Sequence, residues 1–232
     1  MSEILTYEKR RGELEHYFDR TAADAWARLT SDAPVSGIRA TVRRGRDRMR
    51  NILLSYLPQD LHGATVLDAG CGTGAFAIEA ARRGAHVTAV DLSETLVTLA
   101  RSRTPAELGS GRVRFLVGDM GEFRGHFDYT IAMDSLIHYP AHDIVGVLER
   151  LSAHTRHGVA FTFAPRTALL GAMHAVGRLF PRGDRAPAIE PVGHADLVTR
   201  LGTSEALRGW RVRHDELVKS GFYISHAMAL GR

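Results

Sequence analysis

Short apolar runs alternate with helix-like stretches from residue 64 onwards. The strand-like runs, in chain order, are ATVLDAG, HVTAVDL, RVRFLVGD, FDYTIAMD and GVAFTFAP. Apolar residues recur at helical spacing over Ala75 to Arg83, Glu94 to Arg103 and His142 to His154. Because helical crossovers join parallel strands, the pattern predicts an α/β fold whose mostly parallel sheet is covered by helices on both faces.

The two ends of the chain depart from this alternation. Residues 1–60 are predicted to form N-terminal helices ending at Pro58, and residues 61–165 form the α/β core. Residues 166–208 predict a helical insertion, with an amphipathic stretch over Thr167 to Phe180 and a short helix over His194 to Leu207. Residues 209–232 hold two strand-like runs, WRVRHDELV and FYISHAMAL, which predict an antiparallel hairpin that completes the sheet.

Composition narrows the class of protein. The 232 residues are 44% hydrophobic and 24% charged, which excludes a disordered chain, a collagen and a disulfide scaffold. The formal net charge of +4 allows an anionic small molecule, an acidic partner or a membrane surface. Cys71 is the one cysteine, and no apolar run suits a signal peptide or a spanning helix, so we expect a cytoplasmic protein.

The sharpest local signal is DAGCGTG, which spans Asp68 to Gly74 between a predicted strand and a predicted helix. Glycines allow the backbone to turn sharply and a ligand to approach closely. Gly70, Gly72 and Ala75 also satisfy the G-x-G-x-x-A pattern of a dinucleotide fold, with Asp91 about 20 residues further on. The loop by itself therefore leaves a nicotinamide enzyme and an S-adenosylmethionine enzyme open.

Three carboxylates favour S-adenosylmethionine. Asp68 stands two residues before the first glycine, in a segment that closely resembles the methyltransferase signature. Asp91 closes the second strand, where a carboxylate can accept both ribose hydroxyls, and Asp119 closes the third, where methyltransferases hold the adenine amino group. A dehydrogenase would need a substrate domain, for which little chain remains. We therefore expect a Rossmann-like class I methyltransferase sheet with a helical cap inserted after the fifth strand.

The end of the fourth strand limits the acceptor. Methyltransferases that modify amino nitrogens of bases often carry D/N-P-P-Y/F here, whereas this chain has DSLIHYP. The absence of that clamp argues against nucleobase methylation. Ser135, His138 and Tyr139 are expected just outside the carboxyl end of this strand, where open α/β sheets bind ligands.

Four segments outside the glycine loop carry a closer resemblance. HYFDRTAADAWARL, SLIHYP, TALLGAMHAVGRLFP and FYISHAMAL together resemble the magnesium-protoporphyrin IX O-methyltransferases of chlorophyll and bacteriochlorophyll biosynthesis. The resemblance implies transfer of the methyl group of S-adenosylmethionine to one propionate carboxylate, which gives the monomethyl ester and S-adenosylhomocysteine. The implied cofactor-binding residues are Asp68, Gly70, Cys71, Gly72, Gly74, Asp91, Leu92, Asp119, Met120 and Met133.

Two residues are candidates for the catalytic role. A carboxylate acceptor has a reference pKa of about 4.3, so it is ionised at neutral pH and needs no general base. His138 is predicted to donate one hydrogen bond to it, although a structural histidine bonded to backbone is the alternative. Family members place the N-terminal helix as a lid over the cofactor. Tyr17 is predicted to reach the ligand from there, the alternative being that Tyr17 and Phe18 only anchor the helix.

Partners and metals follow from the same resemblance. The magnesium belongs to the substrate. No Cys/His spacing or carboxylate cluster in the sequence predicts a metal site of the protein's own. Axial ligation of the substrate magnesium by a histidine of the protein is a hypothesis. We expect contact with the porphyrin-binding subunit of magnesium chelatase and peripheral association with the photosynthetic membrane. We do not expect binding to nucleic acid.

The arginine run of residues 39–50 is interpreted as a solvated helix face or as a means of steering an acidic group or partner. The competing functions are a small-molecule or quinone O-methyltransferase, a non-catalytic porphyrin carrier and an RNA-modifying enzyme.

Overall fold

The computed structural model describes residues 2–21, 29–30, 36–123, 125–167 and 189–232, which form a seven-stranded sheet with flanking helices. The strands are β1 (Thr65–Ala69), β2 (His86–Asp91), β3 (Arg112–Val117), β4 (Phe127–Ala132), β5 (Thr155–Phe163), β6 (Arg211–Ser220) and β7 (Tyr223–Gly231). Their order across the sheet is β3-β2-β1-β4-β5-β7-β6. The first five strands are parallel, and β7 runs antiparallel to both β5 and β6. The predicted fold class, with its C-terminal hairpin, is confirmed.

Helices cover both faces of this sheet. They are α1 (Ser2–His16), α2 (Gly37–Ser55), α3 (Ala75–Arg82), α4 (Glu94–Arg103), α5 (Ala141–Ala153) and α6 (His194–Thr203). A π-helical turn (Tyr17–Thr21) continues α1, and a 3-10 turn (Leu136–His138) follows β4. We call α1 and the π-helical turn together the lid.

Alternate residues of each central strand enter two separate cores. Leu67 of β1 and Phe161 of β5 pack with Leu148 of α5 on one face of the sheet. Val66 of β1 and Ala160 of β5 pack on the other face, with Met49 of α2. Because both faces are buried, the central strands are almost continuously apolar, and these apolar runs predicted the strands from the sequence.

The hairpin turn packs against the start of α2. Gly221 has a φ of +59°, and a Cβ atom there would lie 2.5 Å from Thr41 Oγ1. The hydroxyl of Ser220 donates to the carbonyl of Thr41 at 2.9 Å. Further along α2, a Cβ atom on Gly45 would lie 2.5 Å from the Tyr223 ring. These contacts place α2 against the sheet. Both α1 and α2 also contribute side chains to the wall of the cavity described below.

The insertion after β5 is described only at its two ends. Most of the predicted amphipathic helix of Thr167 to Phe180 lies outside the described residues. The ends are joined where Arg166 N–H donates to the Val192 carbonyl at 2.9 Å and Val192 N–H donates to the Ala164 carbonyl at 2.8 Å. The helix predicted from His194 begins at that residue and ends at Thr203 instead of Leu207. The four-part division of the chain stays a prediction.

Candidate active site

The glycine loop forms a tight turn between β1 and α3. Gly70, Gly72 and Gly74 have φ values of +81°, +52° and +78°, a region that favours glycine. A Cβ atom on Gly70 would lie 2.3 Å from the Ser135 side chain, and one on Gly74 would lie 2.9 Å from the Phe115 ring. The loop therefore needs glycine at Gly70 and Gly74 both for its backbone angles and for the close approach of neighbours.

Two carboxylates flank this loop, one buried and one partly buried. Asp68 is 1% exposed, and among the described residues its Oδ2 atom has no hydrogen-bond partner. Burial and the nearby charge of Asp91 raise the pKa of Asp68 to about 7. Asp91 accepts hydrogen bonds from the Gly72 N–H at 2.7 Å and the Ser93 N–H at 3.0 Å; burial still raises its pKa overall. A cation bound beside either group would favour its carboxylate form.

A third carboxylate, Asp119, is held by the lid. The Tyr7 hydroxyl donates to Asp119 Oδ1 at 2.7 Å, and an Arg11 guanidinium nitrogen lies 3.1 Å from Oδ2. The Tyr7 ring stacks on Tyr139 at 5.2 Å, and the Arg150 guanidinium lies 5.2 Å from the centre of the same ring. Burial, together with the charges of Tyr139 and Asp119, raises the pKa of Tyr7, so its hydroxyl remains a donor.

The two predicted catalytic residues both contact Phe18. His138 closes the 3-10 turn after β4 and is 7% exposed, and its ring makes an edge contact with Phe18 at 6.2 Å. The Tyr17 ring makes an edge contact with Phe18 at 5.3 Å, and burial raises the pKa of Tyr17. The aromatic residues that the lid contributes to the cavity wall are Tyr7 and Phe18, among the residues described. The role of Tyr17 at the ligand stays a prediction.

One cavity of about 470 Å³ brings most of the predicted residues together. It lies at the carboxyl ends of the parallel strands, where open α/β sheets bind ligands, and its size is typical of small-molecule sites. The predicted residues that line it are Asp68, Gly70, Cys71, Gly72, Asp91, Leu92, Asp119, Met120, Met133 and His138. Gly74 shapes the loop beneath it. Burial and the charges of Asp68 and Asp91 raise the pKa of Cys71, so this thiol is neutral.

The arginine run divides between two faces of α2. Arg43, Arg46 and Arg50 line the cavity, three and four residues apart, whereas Arg44 and Arg48 are exposed. Arg46 lies 3.0 Å from Asp134 and Arg50 lies 3.0 Å from Asp47, so these two guanidiniums already have carboxylate partners. The run is therefore both a solvated face and a positively charged wall of the cavity.

Asp134 joins α2 to the end of β4. It has a φ of +54° and is the single positive-φ residue other than glycine in the described parts of the chain. Its carboxylate accepts from the Tyr223 hydroxyl at 2.9 Å and pairs with Arg46, and its backbone N–H donates to the Thr162 hydroxyl at 2.7 Å. Left-handed backbone at an aspartate costs of the order of 1 kcal/mol, and these bonds offset that cost. The backbone turn that leads to Ser135 and His138 is thereby fixed.

The chemistry of the cavity suits S-adenosylmethionine. The adenosine part of S-adenosylmethionine carries hydroxyl and amino donors, and its methionine part carries an ammonium and a sulfonium. The buried Asp68 Oδ2 atom offers an acceptor for a cation, and Asp91 retains lone pairs beyond its two backbone bonds. The glycine loop leaves the backbone accessible between them.

Comparisons with known proteins decide the family. A model described as the magnesium-protoporphyrin IX methyltransferase C-terminus matches residues 132–232, and a methyltransferase-domain model matches residues 66–158. The magnesium-protoporphyrin O-methyltransferase of Rhodobacter capsulatus is 49% identical over 224 residues, which cover 96% of either chain. The chloroplastic magnesium protoporphyrin IX methyltransferase of Arabidopsis thaliana is 31% identical and covers 91% of this chain and 68% of its own. The chain belongs to the magnesium-protoporphyrin O-methyltransferase family.

Solved structures agree with this family. The crystal structure of magnesium protoporphyrin IX methyltransferase from Synechocystis PCC 6803 with bound SAH has a TM-score of 0.83 at 28% identity, covering 95% of this chain and 99% of that one. The same enzyme with bound SAM has a TM-score of 0.78 at 25% identity, covering 96% and 97%. The predictions of the family, of the class I fold and of S-adenosylmethionine as methyl donor are confirmed.

Sequence reasoning missed several residues around the cavity of this magnesium-protoporphyrin O-methyltransferase. Tyr7 and Arg11 reach Asp119 across more than a hundred residues of chain, and Tyr223 reaches Asp134 from the last strand. The helical spacing of Arg43, Arg46 and Arg50 was the one signal that could have indicated a shared face in advance.

Proposed function

We propose that this methyltransferase esterifies one propionate carboxylate of magnesium-protoporphyrin IX in the cavity between the glycine loop and the lid. One observation supports this more than any other: the cavity combines buried carboxylates for a cationic donor with a positively charged wall for an anionic acceptor. Three of its lining side chains on α2 are arginines. The two reactants carry opposite charges, so each is attracted to a different part of the same cavity.

The donor is proposed to bind along the ends of β1, β2 and β3. Asp91 accepts the ribose hydroxyls, and Asp119 receives the adenine amino group in place of, or beside, the Tyr7 hydroxyl. Asp68 faces the donor's ammonium group, which converts this buried acid to its carboxylate form. When bound, S-adenosylmethionine supplies an electrophilic methyl group on a sulfonium.

The acceptor is proposed to be held by His138 and the end of β4. An ionised carboxylate is already nucleophilic, so this side of the site has to position one oxygen in line with the methyl group and exclude water. Positioning of this kind supplies on the order of 7–11 kcal/mol. One hydrogen bond from His138 orients the acceptor, whereas a bidentate arginine would occupy the oxygen electron pairs that have to attack the methyl group. Arg46 and Arg50 are engaged with Asp134 and Asp47, so they attract the propionate without clamping it.

A transfer assay tests this function. Purified protein is incubated with labelled S-adenosylmethionine and, in separate reactions, magnesium-protoporphyrin IX, metal-free protoporphyrin IX and a catechol precursor of quinones. We expect a labelled monoester, formed preferentially from the magnesium compound. Label on the catechol alone would make the chain a quinone O-methyltransferase, and donor binding without transfer would make it a carrier.

We also propose peripheral contact with a membrane through the start of α2 and the hairpin turn. Every helix in the described ranges is too short or too polar to span a bilayer. Ile38 is 57% exposed and Phe222 is 49% exposed, and Thr41 links their two segments through its contacts with Ser220 and Gly221. Exposed Arg39 lies beside Ile38. Two apolar side chains beside positive charge suit an anionic lipid surface.

Sedimentation with vesicles tests this contact. We expect the protein to sediment with vesicles of phosphatidylcholine and phosphatidylglycerol, and an Ile38→Ser/Phe222→Ser variant to remain in the supernatant. Val117 is 48% exposed on β3, at the opposite edge of the sheet, so Val117→Ser is the matched control and should still sediment. Equal sedimentation of all three proteins would contradict the proposal.

Contact with the porphyrin-binding chelatase subunit stays a prediction from the resemblance, tested by co-purification of the two proteins.

A further inference from the structure

Three titratable side chains from separate parts of the chain converge at the base of the insertion after β5. His194 begins α6, Asp215 lies on β6 and His226 lies on β7. The His194 Nε2 atom lies 2.5 Å from one carboxylate oxygen of Asp215, and His226 Nε2 contacts the other. The three potential ligand atoms all lie within 4.8 Å of one another. We call these residues the His–Asp–His triad; none of them is among the described residues that line the cofactor cavity.

The sheet register brings the two hairpin members together. His226 pairs with Leu217 of β6, so Asp215 is its diagonal neighbour on the same face of the hairpin. On its other side His226 pairs with Phe163 of β5, and the two rings stack at 5.0 Å with an interplanar angle of 10°. Phe163 is fully buried, so it fixes the plane of the His226 ring.

The third member is positioned by the base of the insertion. Val192 is hydrogen-bonded to Ala164 and Arg166, which fixes the chain two residues before His194. The His194 ring then stacks on His226 at 4.9 Å. Its side chain is 43% exposed and that of Asp215 is 33% exposed, which leaves a path from solvent to the triad.

The structure assigns to the His–Asp–His triad a divalent transition-metal site, separate from the magnesium of the substrate. Two imidazole nitrogens and one carboxylate are a ligand set that zinc and its neighbours in the periodic table accept, with further positions left for water. Magnesium prefers oxygen ligands, so this set discriminates against it. A bound ion would cross-link the start of α6 to the hairpin and so secure the base of the insertion.

The electrostatics of the triad are compatible with a cation. Burial by itself would raise the pKa of Asp215, but the hydrogen bonds from His194 and His226 lower it overall, so the carboxylate is ionised. Without metal, the Nε2–H group of each histidine can donate a hydrogen bond to Asp215. In a metal complex each Nε2 atom would instead offer its lone pair, with the ring proton on Nδ1.

Zinc titration of the untagged full-length protein tests this site. After treatment with a chelator, the protein is titrated with Zn²⁺ by calorimetry and with Co²⁺ by visible absorption, which reports the ligand field of the bound ion. We expect one equivalent of either ion and none of Mg²⁺. Saturating Zn²⁺ should raise Tm by about 5–10 °C at a hundredfold excess over Kd.

Variants of the triad and of a neighbouring histidine complete the test. We expect three variants to lose both the bound zinc ion and the visible absorption of bound cobalt: Asp215→Asn, His226→Gln and, at the more exposed position, His194→Ala. His214 lies next to Asp215 on β6 but stacks on Tyr56 at 4.3 Å, so His214→Gln is the matched control and should bind as wild type. Each metal-free variant is checked for an unchanged circular dichroism spectrum. Binding well below one equivalent in wild type, or binding that the triad variants retain, would overturn the proposal and leave a hydrogen-bonded cluster only.

Discussion

The glycine loop and the lid border the same cavity, but different kinds of hydrogen bond hold them in place. The loop is fixed by backbone bonds: Gly70 and Cys71 both donate to the Val90 carbonyl, at 2.8 and 3.0 Å, and Gly74 donates to the Cys71 carbonyl at 3.0 Å. The lid is fixed by side chains. Tyr7 and Arg11 bind Asp119, and Asp19 accepts from the Ser93 hydroxyl at 2.5 Å and the Thr95 N–H at 3.3 Å.

This difference predicts a permanent part of the site and a movable one. Backbone bonds within the buried core break only when the sheet itself opens. Side-chain bonds at a partly exposed surface contribute about 0.5–1.5 kcal/mol each, so a lid whose hydrogen bonds to the rest of the chain are mainly of this kind is expected to open far more often. Under the proposed function, such an opening would admit the flat macrocycle, and closure would exclude water from the reacting atoms. The comparison therefore predicts large effects from loop changes and small effects from lid changes.

The largest effect is expected from Gly70→Ala. Its Cβ atom would overlap the Ser135 side chain at a backbone angle that disfavours alanine, so we expect a loss of about 2–5 kcal/mol of stability and of donor binding. Gly209→Ala is the control, because Gly209 has a φ of +92° but nothing within 4 Å of its Cβ position. Urea unfolding measures both, and equal losses would show that backbone angle alone matters.

Asp68 should make stability depend on pH. Its pKa rises from an ordinary 3.8 to about 7 in the folded protein, so between these values the folded state keeps a proton that the unfolded state has lost. Stability should therefore fall with rising pH across this window, by about 1 kcal/mol per pH unit, and then level off. Asp68→Asn should remove this slope in urea unfolding at a series of pH values. A variant with the wild-type slope would contradict the assignment.

Asp91→Ala should weaken donor binding strongly. The change removes charge-assisted hydrogen bonds worth about 1.5–3 kcal/mol each, so Kd for S-adenosylmethionine should rise at least tenfold. Calorimetry measures the affinity, with the exposed Asp196→Ala on α6 as a control. Unchanged affinity would mean that the end of β2 does not contact the ribose.

His138→Ala should lower turnover while leaving donor affinity nearly unchanged. The loss of one hydrogen bond to a carboxylate corresponds to roughly a tenfold fall in kcat. His142→Ala, four residues further on and more exposed, is the control. Full activity in His138→Ala would make His138 a structural residue. A Tyr17→Phe variant in the same assay tests whether the Tyr17 hydroxyl takes part in methyl transfer.

The smallest effect is expected from Tyr7→Phe. It removes one lid hydrogen bond and keeps the ring that stacks on Tyr139, so the lid should open about two- to tenfold more often. Hydrogen exchange of residues 2–21, measured by mass spectrometry, reports this opening. Lys9→Ala is the control, because Lys9 is an exposed residue of α1. Equal exchange in wild type and Tyr7→Phe would show that the bond to Asp119 does not hold the lid.

Features encoded within a few neighbouring residues were predictable. Apolar runs of five to nine residues predicted the strands, because both faces of the central sheet are buried. The positions of Asp68, Asp91 and Asp119 at one edge of the sheet were predictable, because each lies at or just after the carboxyl end of a strand and parallel strands bring those ends together. The surrounding shell was not predictable, since Tyr7 and Asp119 are separated by 112 residues.

The sequence by itself determined the α/β class, the glycine loop and S-adenosylmethionine as the methyl donor, because these depend on motifs of a few residues and on local spacing. Only the tertiary structure decided which side chains complete them. It placed Tyr7 and Arg11 on Asp119, Tyr223 and Arg46 on Asp134, and His194 beside Asp215 and His226. These pairings depend on how lid, α2 and hairpin pack against the sheet. Contacts of that kind leave no periodic pattern in the chain, because each partner is fixed by distance in space and not by distance in sequence.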